Sequence, residues 1–154
     1  MSNKHTSLLI IFILFPLAAG SLSSALSGNM AGSTFTKVPI SPPGYIFPIV
    51  WTILYTLMGI SSHLVFTSGQ PAAKSGLQTY LLQLFFNFFW SILFFRFKLY
   101  LIALLWLLIL IFLIIRMIKQ FHSINPIASY LQIPYLLWCI FAAFLNFMIY
   151  TANR

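Results

Sequence analysis

The residues able to do chemistry in this chain are indoles, phenols and amides, because side-chain carboxylates are missing altogether. The sequence has eight Lys or Arg and neither Asp nor Glu. That excludes a carboxylate acid–base pair, a carboxylate proton relay and a carboxylate cage for a hard cation. The one cysteine, Cys139, stands in an apolar run, so an intrachain disulfide is impossible and no thiol chemistry is expected. What remains falls at helical spacing. Trp51, Tyr55, Met58 and Ser62 follow steps of four, three and four. Gln83, Asn87, Trp90 or Ser91, and Phe94 do the same, as do Tyr135, Trp138, Ala142 and Asn146. Each set forms one face of a helix. If the three faces converge, they line a cavity for a flat, largely apolar ligand, with rings to stack on it and amides to orient it. The competing use is structural: Asn and Gln join helices, while Trp and Tyr stand in interfacial belts. Asn146 and Gln132 fit the joining role better, and Trp51, some seven residues into its helix, also fits a belt. His63 and His122 lie near the ends of apolar runs and read as interfacial rather than as haem ligands. His5 lies in a tail. No metal site is expected.

These side chains need elements to hold them, and the composition says which kind. Of the 154 residues 61% are apolar and 5% charged, where a soluble chain carries roughly a quarter. Five apolar segments follow: about Leu8 to Gly28, Tyr45 to Phe66, Thr79 to Phe97, Leu99 to Ile118 and Ala128 to Tyr150. Each is long enough at about 1.5 Å per residue to cross roughly 30 Å of hydrocarbon. Lipid cannot satisfy free backbone groups, so the spans are helices. The expectation is an all-α membrane protein, a single domain made of a bundle of five transmembrane helices. The first segment has a rival reading as a cleavable signal peptide, since Lys4 and His5 precede Leu8 to Leu17 and then small residues. Against it, Gly20, Ser24 and Gly28 form one small-residue face suited to close packing of a retained helix. Residues 29–44 read as an ordered loop whose end, Pro39 to Gly44, has three fixed φ angles. The turn around Arg96 to Lys98 is short, which makes its two helices antiparallel neighbours. The fourth segment carries only Trp106 among Leu and Ile and is expected to face lipid over much of its girth.

The cations are scattered rather than clustered, which argues for headgroup anchoring and against nucleic-acid binding. Lys4, Lys74, Arg116 and Lys119 fall on one side, and Lys37, Arg96, Lys98 and Arg154 on the other. The positive-inside rule therefore returns a tie.

Three stretches are recognisable. Ser41-Pro42-Pro43-Gly44 leads into Pro48-Ile49-Val50-Trp51-Thr52-Ile53-Leu54-Tyr55-Thr56-Leu57-Met58-Gly59. Asn87-Phe88-Phe89-Trp90-Ser91 is followed by Phe94-Phe95. Ile133-Pro134-Tyr135-Leu136-Leu137-Trp138 is followed by Phe141-Ala142-Ala143-Phe144-Leu145-Asn146. In order and spacing, over essentially the whole chain, they resemble the signatures of the TspO/MBR family: translocator proteins, tryptophan-rich sensory proteins and the peripheral-type benzodiazepine receptor. The resemblance implies a five-helix bundle in a bacterial cell membrane, often dimeric, with a pocket capped by the loop between the first two helices. It implies porphyrin binding, with cholesterol or isoquinoline-type drugs as further family ligands. By motif position Trp51, Asn87, Trp90, Trp138 and Ala142 line the pocket, with Tyr55, Phe94 and Tyr135 joining them from the same helix faces, and Pro42 and Pro43 shape its lid. Leu145, Tyr150 and Arg154 fit the sterol pattern proposed for the family's C-terminus. Ile40 stands where many relatives carry a lid tryptophan, and the family's acidic loop residues are missing here.

Three functions follow from the resemblance. The leading one is a membrane receptor or sensor that binds tetrapyrrole, with no cofactor required and porphyrin as the ligand. The second is light- and oxygen-dependent degradation of protoporphyrin, with Trp51 and Trp138 as the oxidisable indoles and porphyrin as substrate. The third is transport of small apolar molecules, in which missing carboxylates argue against proton coupling. The implied partners are membrane lipid, a protoporphyrin or related tetrapyrrole, and a second copy of the chain in a homodimer.

Overall fold

The computed structural model describes residues 2–28 and 38–154. Five helices in it are long and apolar enough to cross a membrane: Asn3–Ser27, Ile46–Phe66, Ala73–Arg96, Tyr100–Ile124 and Pro126–Ala152. The elements are α1 (Ser2–Ser27), α2 (Ile46–Phe66), α3 (Ala73–Ser91) continuing into a π-helical turn (Ile92–Arg96), α4 (Tyr100–Ile124), the short α5 (Pro126–Tyr130) and α6 (Ile133–Ala152). The protein is an all-α, multi-pass integral membrane protein.

Glycine sets how closely α1 and α2 approach. A Cβ at Gly59 would fall on the α1 backbone at Phe12 and Ile13, and one at Gly20 would fall on the Tyr55 ring. Residues 13 and 59, and 20 and 55, therefore meet, which makes the two helices antiparallel. Close backbone approach of this kind replaces hydrophobic driving force in a bilayer, where lipid tails are as apolar as leucine. Of the small-residue face expected on α1, Gly20 does this work, Ser24 lines a groove described below, and Gly28 (φ +87°) takes the left-handed conformation just past the helix end. The face of α1 turned to α3 is fixed separately, by Ser23 Oγ donating to the Phe88 carbonyl at 2.6 Å.

The boundaries differ from the sequence reading in informative ways. The third helix starts at Ala73, because residues 73–78 carry an amphipathic first turn, with Ala73 and Gly76 buried and Lys74 exposed. The fourth helix runs on to Ile124, two turns past the expected end, because Phe121 and Ile124 are buried while polar neighbours face outward. Arg116 and Lys119 thus lie within α4 and not at its end. Its stop is a cap: Asn125 Oδ1 accepts from the backbone N–H groups of Ile127 and Ala128 at 3.0 and 3.3 Å, and Pro126 opens α5. The tight α3–α4 connection ends on Lys98, whose φ of 53° is left-handed.

The fourth helix faces lipid over much of its girth, as expected, and its packing adds a buried face that the sequence did not mark. α4 shows lipid a full stripe, including Leu101, Leu105, Leu108 and Phe112, but its other face is core. Ala103, Leu107, Leu110, Ile114, Met117 and Phe121 are all buried, and the helix packs on α3, α5 and α6. A uniformly apolar sequence hides this face, since lipid-facing and core-facing leucines look alike. Trp106 seats α4 on α3, donating from Nε1 to the Phe86 carbonyl at 2.7 Å with its ring stacked on Phe86 at 4.4 Å.

Candidate ligand pocket

The three polar faces converge. Tyr55 on α2 donates its hydroxyl to Asn87 Oδ1 on α3 at 2.7 Å, and Asn87 Nδ2 donates to the Tyr135 hydroxyl on α6 at 2.8 Å. Tyr135 in turn donates to Gln83 Oε1, one turn below Asn87, at 2.7 Å. All four side chains are buried. Each bond runs in the same sense, so the chain polarises cooperatively in a medium of low dielectric. A second junction lies further along α6. Trp90 Nε1 donates to Asn146 Oδ1 at 3.2 Å, and Asn146 Nδ2 donates to the Tyr100 carbonyl at 2.8 Å. Both ends of the Asn87 and Asn146 amides are thereby used to join helices. Asn146 takes the structural role expected of it. Gln132 is also fully buried, yet its amide makes no hydrogen bond to the described protein groups.

Beside this knot stands a wall of rings. Trp51 stacks on Tyr55 (centroids 5.4 Å apart) and meets Tyr135 edge-on at 6.2 Å. One turn away, Phe47 meets Trp138 edge-on at 5.8 Å, and Trp138 contacts Phe141 at 5.5 Å. These separations are those of favourable aromatic pairs. Trp51 and Trp138 are half-buried, so each indole keeps part of its surface open. Trp90 differs: it is buried and stacked on Phe94 at 5.6 Å. The sequence stripe on α2 began at Trp51 and missed Phe47, although Phe47 lies one turn earlier on the same face.

A groove of about 410 Å³ adjoins the wall on the α1 side, lined among others by Gly20, Ser21, Ser24, Trp51, Thr52 and Ser91. Sequence reasoning did not find it, since neither helix alone marks it.

The remaining expectations fall as follows. Pro42 is half-buried and Pro43 exposed, and the Pro43 carbonyl accepts from Ile46 N–H to start α2. Residues 29–37 of the expected lid loop, with Lys37, lie outside the described residues. Ala142 is buried on α6. Leu145 points into the core and Tyr150 is roughly 140° around from it at about 100° per residue, while Arg154 lies beyond the end of α6 at Ala152. His63 packs edge-on against Phe12 at 5.7 Å, and His122 bonds Ser129 at 3.1 Å. Among the described residues no group of His, Cys, Asp or Glu could hold a metal ion.

Comparison with known proteins decides the family. The TspO/MBR family model matches residues 12–151, nearly the whole chain. The chain belongs to the TspO/MBR family. The tryptophan-rich protein TspO of Chlorobaculum tepidum is 34% identical over 142 residues, covering 83% of this chain and 90% of that protein. The tryptophan-rich sensory protein of Cereibacter sphaeroides is also 34% identical, covering 94% and 90%. The similarity reaches the translocator protein of Bos taurus, 30% identical over 149 residues, covering 93% and 88%. All three motif stretches quoted from the sequence fall within the region matched to the family. The five-helix TspO/MBR bundle is thus built here without a single acidic side chain.

Proposed function

We propose that this TspO/MBR member is a membrane receptor or sensor that binds a tetrapyrrole such as protoporphyrin against the ring wall of α2 and α6. One observation carries the reading: two half-buried indoles on different helices, Trp51 and Trp138, are tied into one aromatic surface through Tyr135 and Phe47. A flat macrocycle stacks on such a surface with little loss of side-chain freedom, because the rings are already held by their neighbours. The buried Tyr55–Asn87–Tyr135–Gln83 chain supports the reading as the scaffold that fixes two of those rings. The family's relatives named for tryptophan richness are consistent with it.

The test is absorbance and fluorescence titration of the purified protein with protoporphyrin. Trp51→Phe combined with Trp138→Phe is expected to weaken binding at least tenfold and to reduce fluorescence quenching. Unchanged affinity in the double variant would remove the ring wall from the binding site.

Light-driven degradation of the porphyrin is the second reading. It is favoured by Trp51 stacking directly on Tyr55, which sets two oxidisable rings side by side at the wall.

A further inference from the structure

The groove between α1 and α2 has features that the ring wall does not explain. It opens to the outside of the bundle, since Ser21, Ser24, Pro48 and Thr52 along it are all exposed. Its walls alternate hydroxyls with small and aromatic surfaces, and Trp51 and Tyr55 belong both to it and to the ring wall. At one end stands a cation. Arg96, on the last residue of the π-helical turn, donates from Nη1 to the Leu26 carbonyl at 3.0 Å. Leu26 directly follows Ala25, which lines the groove, and Ser91, five residues before Arg96, lines it too. The guanidinium is therefore anchored beside the groove, on the residue next to its lining. It is exposed, it has five donors, and the hydrogen bond to Leu26 uses one of them. With no Asp or Glu anywhere in the chain, no acidic side chain can neutralise it.

A cationic fork at the end of a half-open amphipathic groove matches one class of molecule, a flat apolar ring system with a carboxylate on its edge. We propose that the α1–α2 groove is the carboxylate-recognising part of the ligand site. The ring body rests on the Trp51–Tyr55 stack, which the wall and the groove share, and the carboxylate is held at Arg96. The hydroxyls of Ser21, Ser24 and Thr52 serve the polar edge between them. Arginine suits this task because its planar donors match both oxygens of a carboxylate. A phospholipid headgroup offers related chemistry, but its two acyl chains do not use a flat wall beside an indole. This inference rests on the tetrapyrrole reading and adds the group that selects among such ligands.

The test compares protoporphyrin, which carries two carboxylates, with its neutral dimethyl ester, in nanodiscs of phosphatidylcholine alone. Arg96→Gln is expected to weaken free-acid binding roughly tenfold while leaving the ester unchanged, and Arg96→Lys to recover part of the loss. Ser24→Leu, which fills the groove, is expected to weaken both ligands. Equal loss of acid and ester in Arg96→Gln would show that Arg96 merely caps α1, and would overturn the assignment. So would equal affinity of wild type and Arg96→Gln for the acid. Adding phosphatidylglycerol should leave the acid-over-ester preference intact, and its disappearance would reassign Arg96 to lipid headgroups. If neither ligand binds the wild type, the tetrapyrrole reading fails first and takes the groove assignment with it.

Discussion

The Tyr55 hydroxyl on α2 lies 2.7 Å from Asn87 Oδ1 on α3, and the same asparagine amide donates to Tyr135 on α6. One side chain thus joins three helices at mid-bundle, and it holds the two phenols against which Trp51 rests. The ring wall and the helix junction share these residues, so stability and binding can be separated only by choosing substitutions that touch one and not the other.

Asn87→Leu removes both hydrogen bonds at once and leaves two buried hydroxyls facing an apolar group. The expected cost is about 1–3 kcal/mol, read as a lowered thermal midpoint in detergent. Tyr55→Phe breaks only one of these bonds and should cost less. An Asn87→Leu protein as stable as wild type would mean that the junction does not hold the bundle.

Gly59→Ala places a Cβ on the α1 backbone, which cannot yield without moving the helix. A loss of about 1–3 kcal/mol is expected, as for an overpacked core. Gly44→Ala is the control, because a Cβ there meets nothing within 4 Å. Its effect should stay within about 0.5 kcal/mol. Similar stabilities for the two variants would refute the glycine-mediated crossing.

Trp90 and Trp51 should separate in opposite directions. Trp90→Phe gives up the bond to Asn146 and is expected to lower stability by about 1 kcal/mol, with protoporphyrin affinity little changed. Trp51 is half-buried and no hydrogen bond from its indole joins the junctions described, so Trp51→Phe should preserve the thermal midpoint and weaken binding. Paired melting and titration curves check both.

If the indoles also carry light-driven chemistry, illumination in air should bleach the bound porphyrin's Soret band in wild type and not in Trp51→Phe or Trp138→Phe. Several turnovers per protein are expected of an enzyme. Bleaching that stops at one equivalent would leave a receptor that is damaged by its own ligand.

Cys139 is 1% exposed inside the bundle. It should resist maleimide labelling in the folded protein and react once the bundle is opened by strong detergent. Rapid labelling under native conditions would contradict the packing of α6.

Composition alone decided the solvent, and with it the fold class. A chain that is 61% apolar with five long, almost uncharged runs can satisfy its backbone in lipid only as helices. Helical spacing then placed Tyr55, Asn87 and Tyr135 each on an inward face, because a polar side chain in a span has nowhere else to go. The same reasoning was silent where the residues are all apolar: much of α4 faces lipid as expected, but leucine serves lipid and core equally well, and only packing revealed which side of it is buried. Nor does periodicity within single helices say which amide meets which phenol, that Asn87 is consumed in joining helices while Trp51 and Trp138 keep open surface, or that Arg96 reaches the end of α1. Those are relations between helices that no single helix's sequence encodes, and three dimensions were needed to see them.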